Sequence, residues 1–396
     1  MLTDVRPAAD RRSGERGLRA DIQGLRALAV ILVIGNHANT PGFGAGYIGV
    51  DVFFVISGYV ITQLLMREAP KGRRAGLADF YARRVRRIVP AATLTLVGTL
   101  LVSEAVLGSR VDPNLPSDVR WASLFVANFR MMATGTNYFV PGIHPSLVTQ
   151  FWSLAVEEQF YLVFPLVLFT VYRYSDPARR LRVMAAVLGA GIGLSAAWSA
   201  YESAAHPIAG YYSPFTRFWE LGLGCLLAIS TTGRPVRTIR SEHLAAAGGA
   251  ALIVAALVEF GPSTRYPGAA AWLPCLGTAL LLWAGITGER TALTRILSVR
   301  PLRYVGDISY SLYLAHYIWL KLPEQVAAPL TGPAWRSLEI AGTFVTAMVS
   351  YHLLENPVRR SRRLAGDRVS VALLLAVCVA ASWAAAAVVG HHLAAG

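Results

Sequence analysis

Residues 147–172 read LVTQFWSLAVEEQFYLVFPLVLFTVY. About 20 apolar residues suffice to cross the hydrocarbon core of a bilayer. This stretch is longer than that and holds no lysine or arginine. It also carries Glu157 and Glu158 side by side. An ionisable group at mid-bilayer costs about 2.5–3.5 kcal/mol on insertion scales and faces a protein or water-lined interior. The two glutamates point about 100° apart on a helix, so at most one faces the same partner as His37. The stretch therefore predicts a spanning helix beside a polar cavity, and with it an all-α polytopic membrane protein.

Working outward, apolar stretches of spanning length recur at 25–40, 47–66, 88–107, 183–201, 213–230, 244–260, 269–286, 305–322, 335–354 and 369–390. With 147–172 they make eleven predicted spans. The apolar stretch 121–134 is short and interrupted by Asn128 and Arg130. It is read as re-entrant or interfacial, because a full span there would invert every segment after it. Basic residues concentrate in cytoplasmic loops. With the N-terminus inside, segments 1–26, 67–87, 173–182, 231–243, 287–304 and 355–368 hold thirty of the 37 Lys+Arg, and the opposite loops hold four. The asymmetry predicts an N-terminus inside and a C-terminus outside.

Composition agrees. The chain has 396 residues, 54% hydrophobic and 15% charged, against about 25% charged in soluble domains. A net charge of +14 in a soluble protein would point to nucleic acid. Here the arginines fall in short runs between apolar segments, which argues against a nucleic-acid partner and for a lipid bilayer. Cys225, Cys275 and Cys378 all lie in apolar segments, with no metal-ligand spacing, so no metal site is expected. Residues 1–20 form a polar, arginine-rich cytoplasmic tail without the apolar core of a cleaved signal peptide. Residues 21–360 read as one membrane domain. Residues 361–396 read as a basic hinge and an added C-terminal span.

The polar residues inside the spans carry the functional signal. Arg26 and His37 are eleven apart on the first span, about three turns and roughly 16 Å, and so share a face. Asp51 opens the second span, close in sequence to His37. It can orient the imidazole or serve as an N-terminal acid favoured by the helix dipole. Ser57 follows in the same span. After that span, Arg83, Arg84, Arg86 and Arg87 offer two pairs at i,i+3, Arg83/Arg86 and Arg84/Arg87. A guanidinium pair suits the phosphates of an anionic donor, or it anchors the helix among lipid headgroups. Arg217 and Glu220 are placed for an intramembrane ion pair. Ser309, Tyr313 and His316 recur at i, i+4, i+7 on one face. A histidine, carboxylates and an arginine pair are what acyl transfer needs. The same set also suits a proton-coupled transporter or exporter of a small polar or glycosylated molecule.

The segments GVDVFFVISGYVIT (49–62), FYARRVRRIVPA (80–91), FWSLAVEEQFY (151–161), RFWELGLGCLLA (217–228), ISYSLYLAH (308–316) and LLENPVRR (353–360), with Arg26 and His37 at their spacing, occur in this order. The chain thereby resembles the acyltransferase-3 family of bacterial integral membrane acyltransferases over residues 20–360. The resemblance implies a ten-helix bundle plus an eleventh helix in the bacterial cytoplasmic (inner) membrane. It implies transfer of an acyl group, usually acetyl, from cytoplasmic acyl-CoA to a hydroxyl on a glycan, glycoside or other extracytoplasmic acceptor. No cofactor would be tightly bound; acyl-CoA would be a substrate. His37 would be the catalytic histidine, Arg26 its functional partner, the tandem arginines the donor-binding element and Glu157/Glu158 the acidic pair. Some members of the family continue into an extracytoplasmic SGNH-type domain, and no GDS-type block follows residue 390 here. Three forms stay open: a stand-alone enzyme, one that hands the acyl group to a separate acyl-accepting or esterase-like partner, or part of a longer chain.

Overall fold

The computed structural model describes residues 19–68, 73–136, 138, 146–232, 238–261, 263–288, 290–326, 332–361, 363–364 and 367–395. Most of the N-terminal tail (1–18), and parts of the basic loops and of the hinge, lie outside the described residues. Regular structure among the described residues is helical throughout. In chain order the helices are α1 Ala20–His37, α2 Gly49–Glu68, α3 Arg73–Leu107, α4 Leu115–Ser123, α5 Ala127–Ala133, α6 Phe151–Tyr174, α7 Arg180–Ala205, α8 Pro207–Tyr212 and α9 Phe218–Ser230. They continue as α10 Ile239–Glu259, α11 Trp272–Ala284, α12 Ala292–Leu297, α13 Arg300–Asp307, α14 Ser309–Lys321, α15 Pro333–Ser350, α16 Asn356–Arg360 and α17 Arg368–Ala395.

Each of the eleven predicted spans contains helix, and the chain is a multi-pass membrane protein. Among the described residues, six segments are long and apolar enough to cross a membrane by length and composition: those of α2, α3, α6, α7, α10 and α17. The interrupted stretch 121–134 is divided between α4 and α5. Fully buried Asn128 exchanges hydrogen bonds with Gln159 (2.8 and 3.4 Å) and donates one to the Tyr212 carbonyl (3.3 Å).

Two predicted spans are shorter and broken. At 1.5 Å per residue, the 13 residues of α9 and of α14 reach about 20 Å, less than the hydrocarbon thickness. A 3₁₀ turn at Pro214–Thr216 precedes α9, and α13 meets α14 at a break at Ile308. Irregular backbone at membrane depth is tolerated where protein surrounds it. Here it lies beside the polar residues: Arg217, Ser309 and His316 are 0–1% exposed.

Packing sorts the helices by depth. α1 sits against α2, α12, α13 and α14, while α2 packs on α9 and α11. Of the apolar window of α2, 72% is buried, against 17% for α7. Leu194 and Val258, on α7 and α10, are among the large apolar side chains left exposed to the bilayer. The α2–α9 contact is made backbone to backbone: a Cβ on Gly58 would lie 1.9 Å from the Leu221 carbonyl oxygen, and one on Gly224 2.0 Å from that of Val55. Small residues give apolar helices this approach where no hydrophobic driving force exists between them. α17 packs on α3 and α4, burying Cys378, Ala386 and Val389, and the Trp383 indole donates to Ser123 Oγ (3.2 Å). It is integrated with the bundle.

Candidate active site

A cavity of ≈ 140 Å³ opens among α1, α2, α3, α6 and α14. It offers room for on the order of ten waters. Arg26, Arg84, Arg87, Ser57, Glu157, Tyr161, Ser309 and Tyr313 contribute its polar lining. Of the two arginine phasings, Arg84/Arg87 faces this space. Arg86 turns away to the carbonyls of Ala82 (3.2 Å) and Ser361 (3.3 Å), and Arg83 is absent from the lining. Arg84 lies over the Tyr161 ring, 3.7 Å from its centroid. Tyr161 donates its hydroxyl to Glu157, which also accepts from Ser57 Oγ at 2.6 Å. Arg26 donates to Gln23 Oε1 at 3.1 Å. Three guanidiniums thus surround a small space with one carboxylate in its wall, and Arg84 Nε is buried there with no hydrogen-bond partner. Planar guanidiniums in this arrangement are suited to holding an anion.

Glu158 lies outside that lining, with Oε1 buried and without a hydrogen-bond partner. Neither of the adjacent glutamates is bonded to His37.

Tyr313 closes the far side of the cavity. Its hydroxyl is held by Ser153 Oγ (2.6 Å) and the Gln150 carbonyl (2.9 Å), and its ring lies 5.4 Å from that of His316. Beyond it the two histidines meet, His37 Nδ1 with His316 Nε2 at 2.9 Å. His316 Nδ1 lies 2.6 Å from the Tyr313 carbonyl oxygen, and His37 Nε2 bonds the Tyr138 hydroxyl. The α14 face read from the sequence is therefore continuous. Ser309 and Tyr313 line the cavity, and His316 engages the histidine of α1.

Asp51 does not orient His37. It accepts from the Tyr266 hydroxyl (2.5 Å) and pairs with Arg217 (3.2 Å), which also pairs with Glu220 (3.1 Å). All three charged residues are buried, and the guanidinium sits against the rings of Trp152, Tyr211 and Tyr266 at 4.9–5.4 Å. Nearness in sequence across a short turn was misleading, since the oppositely charged arginine at the N-cap of α9 is the stronger partner. The cluster still reaches the histidine indirectly, because Tyr211 stacks on Tyr138 with centroids 4.8 Å apart. Asp51, Glu220 and Cys275 have potential ligand atoms within 4.8 Å of one another, and Arg217 pairs with both acids.

Sequence reasoning missed Tyr138, Tyr161 and Glu355. Tyr138 lies in an aperiodic loop. Tyr161 closes the FWSLAVEEQFY segment, which was read for its acids. Glu355, 1% exposed in a π-helical turn over Tyr351–Glu355, accepts from Ser311 Oγ at 2.7 Å. The LLENPVRR segment pointed to its neighbourhood.

A family described as "Acyltransferase domain" matches residues 19–387, which takes in most of α17. The peptidoglycan O-acetyltransferase of Listeria monocytogenes is 34% identical over 353 residues, covering 86% of this chain and 56% of that protein. The putative peptidoglycan O-acetyltransferase of Bacillus subtilis is 32% identical, covering 85% of this chain and 54% of that protein. An O-acetyltransferase of Staphylococcus aureus is 30% identical, covering 86% and 57%. The chain thus spans a little over half the length of these relatives. No solved structure matches it. From the matched residues, the chain belongs to this family of membrane acyltransferases.

Proposed function

We propose that the protein is a membrane O-acyltransferase that moves an acetyl group from acyl-CoA to a hydroxyl of a glycan acceptor. The single observation that carries this reading is the stacking of two sites along α1 and α14. An arginine-lined cavity and a histidine pair are separated by one tyrosine, Tyr313. In this reading Arg84, Arg87 and Arg26 hold the phosphates of the donor, because planar guanidiniums match phosphate oxygens. The acyl thioester extends along the cavity toward Tyr313. The Tyr138 hydroxyl on His37 Nε2 marks the position that a reacting hydroxyl takes.

His37 then takes the proton of that hydroxyl as its oxygen attacks the acyl carbonyl carbon. The carbon–sulfur bond breaks and CoA leaves as the thiolate. The guanidinium-rich cavity stabilises the negative charge that passes to the donor side. Acyl-CoA serves as a substrate, with no tightly bound cofactor.

We further propose that the end bearing Arg26 faces the cytoplasm of a bacterial inner membrane, which follows the thirty-to-four arginine asymmetry. The acceptor then approaches from outside, and the peptidoglycan named for two relatives sets the first one to test. A separate extracytoplasmic acyl-accepting protein fits the same geometry.

The test is CoA release by purified protein in lipid vesicles supplied with acetyl-CoA and an acceptor glycan. Release should depend on His37. His37→Ala, monodisperse and well expressed, should fall by about 10²-fold or more. Transport of the acceptor without CoA release would favour the proton-coupled transporter or exporter. Near-normal release by His37→Ala would move the reacting centre to Ser309, Tyr313 and His316.

A further inference from the structure

The hydrogen bonds around the histidine pair have a direction. A backbone carbonyl oxygen can only accept, so the contact of His316 Nδ1 with the Tyr313 carbonyl at 2.6 Å puts a proton on Nδ1. A neutral imidazole then has a bare Nε2. The 2.9 Å contact from that atom to His37 Nδ1 requires the proton to sit on His37 Nδ1. His37 Nε2 is left as an acceptor, and the Tyr138 hydroxyl donates to it. One carbonyl on α14 thus sets the tautomer of both rings, and the available lone pair of His37 is aimed at the hydroxyl.

The surroundings leave His316 as the group that sets this. It is 0% exposed, and its ring lies beside that of His37 with centroids 5.0 Å apart and planes at 26°. Tyr317 packs edge-on against both rings, at 5.2 and 5.9 Å. Asp51, the nearest acid in sequence, is taken up by Arg217 and Tyr266, and Glu157 by Ser57 and Tyr161. Lys321, the basic residue that ends α14, pairs with Glu324 at 3.1 Å.

We infer that His316 is the positioning residue of the reaction: it fixes the orientation and tautomer of His37, the task for which many hydrolases use a carboxylate. A neutral partner has a physical advantage at this depth, because it adds no buried charge to be compensated. The inference rests on the acyl-transfer reading for its consequence in rate, but not for its geometry.

The experiment combines NMR of protein carrying isotope-labelled histidine with acyl-transfer kinetics in vesicles. The His37 signals are identified by their loss in His37→Gln. In the wild type, His37 should carry its proton on Nδ1, with Nε2 unprotonated. His316→Leu should turn this into a mixture of tautomers. It should lower kcat by about 10–10²-fold, the range in which the supporting partners of functional imidazoles act, with the donor KM little changed. His316→Gln keeps an acceptor near the former Nε2 position and should recover most of the rate.

Three results would each overturn the inference: a wild-type His37 protonated on Nε2, an unchanged tautomer in His316→Leu, or a His316→Gln protein as slow as His316→Leu. If His316→Leu does not fold, the wild-type tautomer and the glutamine variant still decide. If the wild type releases no CoA at all, the proposed reaction fails, while the tautomer measurement still tests the positioning by itself.

Discussion

Arg84 and Arg87 illustrate how one turn of phase decides a role. Both pairs of the run FYARRVRRIVPA have the same spacing, and only the helix orientation tells them apart. Arg84→Ala and Arg87→Ala should each remove a charge-assisted contact of about 1.5–3 kcal/mol. They should raise the donor KM more than tenfold, while Arg83→Ala/Arg86→Ala, tested in the same steady-state assay, should leave it near wild type. Arg217 has a different task. Removing it as Arg217→Met strands Asp51 and Glu220 as buried carboxylates, at a cost of about 3–5 kcal/mol. Thermal unfolding of the purified variant should show the loss before any kinetic assay does. Arg26, His37, Glu157 and Arg217 were legible in the sequence because an ionisable group within an apolar run is expensive enough to stand out. Tyr138 was not, since a tyrosine in a loop costs nothing and announces nothing. The partner of Asp51 was misjudged because sequence distance carries no information about α9, more than 160 residues further on.

At the scale of elements, the α2–α9 contact is the most exacting joint. Each of its two glycines sits at about 2 Å, counted from where a Cβ would be, from a carbonyl of the facing helix. That distance cannot be relieved by moving a side chain. Gly58→Val and Gly224→Val should therefore yield little folded protein, read as the monodisperse fraction on gel filtration in detergent. Gly189→Ala on lipid-facing α7 meets nothing within 4 Å. It should stabilise the helix by about 0.5–1 kcal/mol. The existence of the helices was legible from hydropathy alone. The breaks before α9 and α14 were not, because the apolar pattern runs through them. What interrupts the helix there is the packing of polar residues against distant elements. The fit of α17 onto α3 and α4 was equally hidden, since a small-residue face of alanine, valine and cysteine reads like any other span.

For the whole molecule, the signal for orientation is distributed and simple. Thirty of 37 basic residues fall in alternate loops, a regularity that no single motif contains. Cysteine-accessibility labelling should find residues 67–87 and 355–368 protected from the outer face and residues 108–146 reachable. Labelling of 67–87 from outside would reject the proposed orientation. Tyr313 has a consequence at this scale. Its phenol, pinned to the first turn of α6 by two hydrogen bonds, stands between a cavity at one end of the bundle and the histidines toward the other. In the proposed orientation that single ring is the partition between donor and acceptor. Handing an acyl group past it, with no channel opened, would let the proposed reaction cross an energised membrane while sparing the proton-motive force.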